Sequence, residues 1–198
     1  MSPQDKLMVV ANRLGLSSLK DMQGSTGAVY DVDASATGVL FSQASTHANP
    51  ALTNVNQNKF EVNEALLIET IGFFACNTAN NDLSNWRSVA GGQADVIVFD
   101  LIIGNKRVIK DQPVFANGGP NTFASSGVTA AAPVQSYAPR HQVFLESVGI
   151  VIPPQVEWSI SYKLFNQLTG AASPLPSTFR LGAYIFGTRV LLNFNTSL

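Results

Sequence analysis

The chain has 198 residues, enough for one large domain or two very small ones and for burial of roughly 70% of the unfolded surface. Ionised side chains make up only 13% of it, with 12 Lys plus Arg against 13 Asp plus Glu, where an ordinary soluble domain carries about 25%. A formal net charge of -1 beside 45% hydrophobic residues excludes a disordered chain and a basic nucleic-acid footprint, and the single cysteine, Cys76, excludes an internal disulfide and a thiolate zinc site.

No run of apolar residues reaches the 18 or so that cross a bilayer as a helix. The longest, 65–76, is interrupted by Glu69, Thr70 and Gly72. Asp5 and Asp21 interrupt the start of the chain where a secretory leader would need an apolar stretch. Neither a myristoylation glycine nor a C-terminal prenylation box is present. The expectation is a protein made and kept in the cytosol of the cell that produces it.

The chain opens with a predicted helix. Ser2 suits the N-cap, Pro3 the first helical position and Asp5 the first turn, where orphan amides favour a carboxylate. Leu7, Val10 and Leu14 follow at three- and four-residue spacing, and Gly15 is a stop. Three turns are marginal alone in water, so this stripe needs a partner surface.

Residues 22–58 are rich in Gly, Ser, Thr, Ala and Asn, with two short strand-like pieces at 28–32 and 38–42. They read as an arm or long loops, 25–58, joining a helical segment, 1–24, to a β-domain, 59–198. Within the arm, Gly24-Ser25-Thr26-Gly27 reads as a turn.

From Lys59 onward the pattern is β. Residues 65–76 are rich in Leu, Ile and Phe, and 94–103 alternates with both faces largely apolar. Gly104-Asn105 between two apolar runs predicts a two-residue hairpin. A long Gly-, Pro- and Ser-rich connection covers 117–140. Residues 142–152 then read as a strand, and Pro153-Pro154 breaks it. Val156, Trp158, Ile160, Tyr162 and Leu164 alternate with Glu157, Ser159, Ser161 and Lys163, the signature of a half-buried strand. A second loop at 166–177 leads to strands at 179–186 and 189–194, with Gly187-Thr188 as a turn between them. About eight strands, irregular long loops and no crossover helices predict an all-β, antiparallel sandwich or barrel with one short N-terminal helix.

Catalytic chemistry finds little foothold. His47 and His141 are the only histidines, too few for a metal-dependent barrel enzyme, and both read as ordinary surface or strand-edge residues. Asp31-Val32-Asp33 places two carboxylates on one side of an extended segment, which suits either a hard cation or a solvated pair flanking a turn. Gly91-Gly92 lacks a phosphate-binding box. No hydrolase elbow is present, and Cys76 reads as a buried, inert thiol. Glu61, Glu64 and Glu69 lack a matching partner carboxylate. Lys106-Arg107 and Arg140-His141, with Trp86 and Trp158, could suggest single-strand nucleic-acid stacking, but no basic groove runs with them. No catalytic, cofactor or metal residue is assigned, and an enzyme is not expected.

The polar positions are filled instead by Asn, Ser, Thr and Gln, as in 53–58 and 77–81. Such groups are cheaper to desolvate than Lys or Glu, and interface centres are depleted of charge for that reason. Self-association is the leading functional expectation.

A family resemblance points the same way. Residues 145–160, containing Ile150, Val151, Ile152, Pro153, Pro154, Val156, Trp158 and Ile160, together with 181–195, resemble the closing strands of viral jelly-roll capsid proteins. The succession of a strand, a Pro-containing turn, an alternating strand and a final hydrophobic strand is similar to that of coat proteins of tailless, membrane-containing icosahedral phages. The resemblance covers 59–198 and rests on pattern rather than on a diagnostic motif. It implies a single jelly-roll barrel with long loops, standing in a shell of copies of itself and of other capsid proteins, in a virion assembled in the host cytoplasm. The near-neutral N-terminus fits a shell separated from nucleic acid by a membrane. In that picture the subunit-interface candidates Leu7, Val10 and Leu14 clasp a neighbouring subunit or touch the inner membrane; the alternative is packing on their own barrel. The rival function is a receptor- or carbohydrate-binding β-sandwich, the head of a spike or adhesin.

Overall fold

The structure, a computed structural model, describes residues 1–20, 22–33, 37–42, 52–55, 58–77, 82–84, 96–115, 142–145, 147–165, 169–172 and 179–192. Among these residues one helix, α1 (Pro3–Leu14), precedes ten strands: β1 (Met22–Val32), β2 (Val39–Leu40), β3 (Glu64–Asn77), β4 (Asp82–Ser84), β5 (Val96–Ile103), β6 (Lys106–Phe115), β7 (Gln142–Phe144), β8 (Ile150–Ile152), β9 (Trp158–Phe165) and β10 (Phe179–Leu192). They form two antiparallel sheets. The first runs β1-β10-β3-β4, with β7 and β8 also paired to β3, and the second runs β2-β9-β5-β6. The expected all-β antiparallel sandwich with a short N-terminal helix is what the chain forms.

The pairings are nested. β1 meets β10, β2 meets β9, β3 meets β7 and β8, and β5 meets β6. The chain is thus laid out as a long hairpin wound on itself, its two halves shared between two sheets.

The main core lies between the sheets. On β9 the predicted alternation places Trp158 and Ile160 inside at 1% and 0% exposure. Ile97, Phe99 and Leu101 face the same core from β5, and Leu181, Ala183 and Ile185 face it from β10. Phe41 and Phe60 flank the Trp158 indole, at ring-centroid distances of 4.5 and 5.8 Å. The β5–β6 hairpin turns at Gly104-Asn105 as predicted. Gly104 has φ 57 and Asn105 is not among the positive-φ residues, so only the first central position needs glycine, as in a II′ turn.

Three segments depart from expectation. Gly24-Ser25-Thr26-Gly27 is not a turn but part of β1, with Ser25 opposite Arg189 and Gly27 opposite Gly187. The boundary expected after residue 24 therefore falls inside a strand. Glycine here serves close packing: a Cβ on Gly24 would meet Leu7 of α1 at 3.0 Å. Gly187-Thr188 is not a turn either, because β10 continues through it with a bulge. Phe186 lies opposite Thr70 and Gly187 opposite Ile68, leaving Glu69 of β3 as the extra residue. A Cβ on Gly187 would collide with the Leu67 carbonyl oxygen. Finally, the strand expected over 142–152 is split into β7 and β8. The break falls at the level of the bulge: Phe144 pairs with Thr70 and Ile150 with Ile68, while the Leu145 N–H donates to the Glu69 carbonyl at 2.7 Å.

The bulge switches which residues of β3 face inward. Leu66 and Ile68 face the inter-sheet core before it, and Ile71 and Phe73 after it. Ala65 and Leu67 face outward, beneath the helix.

Candidate functional site

The outer face of the first sheet carries the three interface candidates Leu7, Val10 and Leu14, together with Glu69. α1 begins with a capping box: the Asp5 N–H donates to Ser2 Oγ at 3.2 Å, and the Ser2 N–H to Asp5 Oδ2 at 3.1 Å. The Ser2 hydroxyl, foremost, and then its backbone N–H hold the Asp5 carboxyl below its usual range. Gly15 closes the helix in the left-handed conformation at φ 70.

The helix lies on its own sheet. Val10 is 0% exposed and packs with Ala11, Met22, Ala65, Leu67, Val190 and Leu192, while Leu7 and Leu14 pack partly buried against that cluster. Of the alternatives for the Leu7, Val10 and Leu14 stripe, the helix takes packing on its own barrel, and Val10 has no surface left for a neighbour. A polar anchor accompanies it. Lys6 Nζ lies 2.9 Å from Glu69 Oε2 with both side chains largely covered, and the Thr188 hydroxyl donates to Glu69 Oε1 at 2.6 Å. The bulge that frees Glu69 from the regular ladder thus gives the helix its ion pair. Bulge position depends on register, so sequence reasoning left Glu69 as an isolated carboxylate.

Beyond the helix the same face carries aromatic rings. Phe144 and Phe186, both opposite Thr70, are 61% and 41% exposed. Tyr184 pairs with Gly72 and Phe74 with Gly182. Each ring occupies the space over the glycine opposite, since a Cβ there would run into it, and the two rings are stacked at 6.5 Å. Val148, 53% exposed, stands beside the helix, where with Met1, Val9, Asn12, Arg13 and Ser147 it lines a shallow cavity of about 230 Å³.

Asp31 and Asp33 lie elsewhere, at the crossing from β1 to β2. Neither is a solvated carboxylate: they are 0% and 4% exposed. Asp33 accepts from the Thr37 N–H at 3.0 Å, the Thr37 hydroxyl at 3.2 Å, the Gly38 N–H at 2.7 Å and the Tyr162 hydroxyl at 2.8 Å. Asp31 Oδ2 accepts from the Phe41 N–H at 2.6 Å, holding that residue at φ 55, a backbone state costly for a bulky side chain. The two carboxylates brace the sheet-to-sheet corner. Burial first, then the Asp33 charge and the hydrogen bond to it, push the Tyr162 phenol well above the usual tyrosine range, opposed in part by Arg180. Among the described residues no group of three or more His, Cys, Asp or Glu side chains could hold a metal ion.

The remaining candidates are dispersed. Arg189 Nη2 meets Glu64 Oε1 at 2.6 Å, and Arg107 Nη1 meets Asp100 Oδ2 at 3.3 Å. Glu61 is exposed, Lys106 begins β6, and Trp158 is a core residue. His47, Trp86, Gly91, Gly92, Arg140, His141 and the 117–140 connection lie outside the described residues, as does the side chain of Cys76. No helix among the described residues is long and apolar enough to cross a membrane. Comparison with family models, with curated proteins and with solved structures returns no match.

Proposed function

We propose that this chain is a structural subunit, a single jelly-roll capsid protein that forms an icosahedral shell by self-association. The observation that carries the reading is the outer face of the first sheet. Phe144, Val148 and Phe186 stand exposed there on a protein with only 13% ionised residues. An exposed apolar surface of this kind marks an association site, and sparse charge leaves little to hold copies apart. The nested strand order supports a jelly roll in particular: two sheets with first strand on last, second on second-last and so inward. Fold alone does not set function, so the exposed face weighs more. In this reading the shell stands over a membrane, the partners are further copies and other capsid proteins, and the location is the virion.

One arrangement favours a second reading. Tyr184 over Gly72 and Phe74 over Gly182 make a flat aromatic platform on a sheet face, a surface that suits the apolar faces of sugar rings and so a carbohydrate-binding head.

Electron microscopy and light scattering of the purified chain over a concentration series separate the two. Growth into large regular particles supports the shell. A stable monomer or trimer retained on a glycan column overturns it in favour of the binder.

A further inference from the structure

We propose that the first half of β1, residues 22–27, is a strand-addition edge that pairs with the same segment of a second copy of this chain. The identity of the partner rests on the assembly reading above; the edge itself rests on geometry.

Among the described residues β1 ends the first sheet. The direction of its outer backbone groups is fixed by Asn54, whose Oδ1 accepts from the Tyr30 N–H at 2.8 Å and whose Nδ2 donates to the Ala28 carbonyl at 2.8 Å. Even-numbered residues therefore turn their N–H and C=O away from β10, because these groups alternate along a strand. Asn54 and Thr53, which bridges to Asp31, occupy the Ala28–Asp31 half as a further strand would. At the other end the Met22 N–H donates to the Leu19 carbonyl at 3.1 Å. Between these stops, the outward backbone groups of Gly24 and Thr26 meet no partner among the described residues.

The opposite sheet edge shows how this chain closes an edge when it does so. β6 carries Lys106, Arg107, Lys110, Asp111 and Pro113, and its register against β5 shifts twice. Charge, proline and irregularity all discourage pairing with another chain. β1 has none of these from Met22 to Tyr30: no ionised side chain, no proline and no register shift against β10. Gln23, Gly24, Ser25 and Thr26 are exposed, so no bulk shields the backbone.

A second copy is the occupant that fits. The accessible stretch is short and stopped at both ends, matching a partner strand of equal length, and two uncharged segments meet without like-charge repulsion. Two copies running antiparallel about Ser25 set Gly24 opposite Thr26 twice and exchange backbone hydrogen bonds at both places. That is a closed, two-fold contact, which cannot itself propagate into a fibre. It is also small, so it acts as one weak contact among several in an assembly.

Sedimentation of the full chain and of Thr26→Pro tests the edge, with Ser25→Cys as a second probe. Proline at position 26 removes an outward N–H while sparing the ladder to β10. The expected result is association weakened by about tenfold or more at an unchanged melting temperature. Ser25→Cys should form a disulfide-linked dimer on mild oxidation, since Cα atoms of facing non-hydrogen-bonded pairs approach closely enough for the bond, and the parent chain, whose only thiol is Cys76, should not. If the parent associates but Thr26→Pro associates equally and Ser25→Cys does not crosslink, the edge proposal is overturned and the assembly reading stands. A parent chain that stays monomeric at its highest attainable concentration overturns the assembly reading, and the second copy as partner with it. Should Thr26→Pro fail to melt cooperatively, the crosslink decides alone.

Discussion

Two apolar clusters hold this protein together, and they are built on different terms. The one between the sheets is contributed by strands of both sheets and by Phe41 and Phe60, with Trp158 at 1% exposure within it. The other lies under α1 and needs only Val10, Ala11 and their neighbours on the first sheet. The first cannot be dissolved without separating the sheets. The second can be uncovered by lifting one helix. The chain has therefore given the first sheet two buried faces, one obligatory and one removable, and the difference predicts which substitutions unfold the domain and which merely expose it.

The severest substitution should be Trp158→Ala, which empties the stack between Phe41 and Phe60 and should lower unfolding stability by roughly 3–5 kcal/mol in chemical denaturation. Trp158→Phe should cost clearly less, because the indole Nε1–H has no acceptor to lose. Val10→Asp should cost about 2–3 kcal/mol, less than a buried charge ordinarily would, because the helix can detach and carry the carboxylate to water. Loss of the helical circular-dichroism signal with the β signal intact, and new binding of a hydrophobic dye, would mark that outcome. A cooperative collapse of both signals would erase the distinction between the clusters.

Lys6→Met removes the ion pair to Glu69 but keeps a long apolar stem over the sheet. It should cost about 1 kcal/mol in thermal melts, the worth of a partly covered pair whose carboxylate keeps its bond from Thr188. The sheet-to-sheet corner has its own pH signature. Tyr162 is held protonated in the folded state above the usual tyrosine range, so above about pH 10 the unfolded chain loses this proton first and stability falls as pH rises. Tyr162→Phe should flatten that alkaline limb in denaturation measured across it. The smallest effect should be at the helix cap. Asp5 is held below its ordinary value by Ser2, so its contribution is present above the ordinary carboxylate range and is lost as pH falls through the lower folded value. Ser2→Ala, which removes the hydroxyl but keeps the backbone N–H bond to Asp5, should weaken that dependence in the helical signal alone.

Legibility followed the same division. The alternation of 156–164 revealed β9, and Gly104-Asn105 revealed the hairpin, because both signals are local. Ser2, Pro3 and Asp5 revealed the helix, and Leu7, Val10 and Leu14 its apolar stripe. The destination of the stripe was not legible. Nothing near Val10 in sequence says that Ala65, Leu67, Val190 and Leu192 wait for it, although the doubly apolar run at 65–68 is explained once a helix covers its outer side. Gly187 and the 24–27 segment were misread for a common reason. Glycine marks a turn when judged by its neighbours along the chain, whereas here it admits the close approach of Leu67 and of Leu7 from other elements.

By itself the amino-acid order determined the class of fold, the N-terminal helix, the β5–β6 hairpin, the alternation of β9 and the poverty of charge on the whole molecule, since each follows from local periodicity or from composition. Tertiary structure alone decided that β10 is one strand, that Glu69 is a bulge anchoring Lys6, that Asp31 and Asp33 are braces, and that β1 presents an undefended edge where β6 does not. These are matters of register and of which distant backbone comes near. Short-range propensity carries no information about either until the sheets have closed.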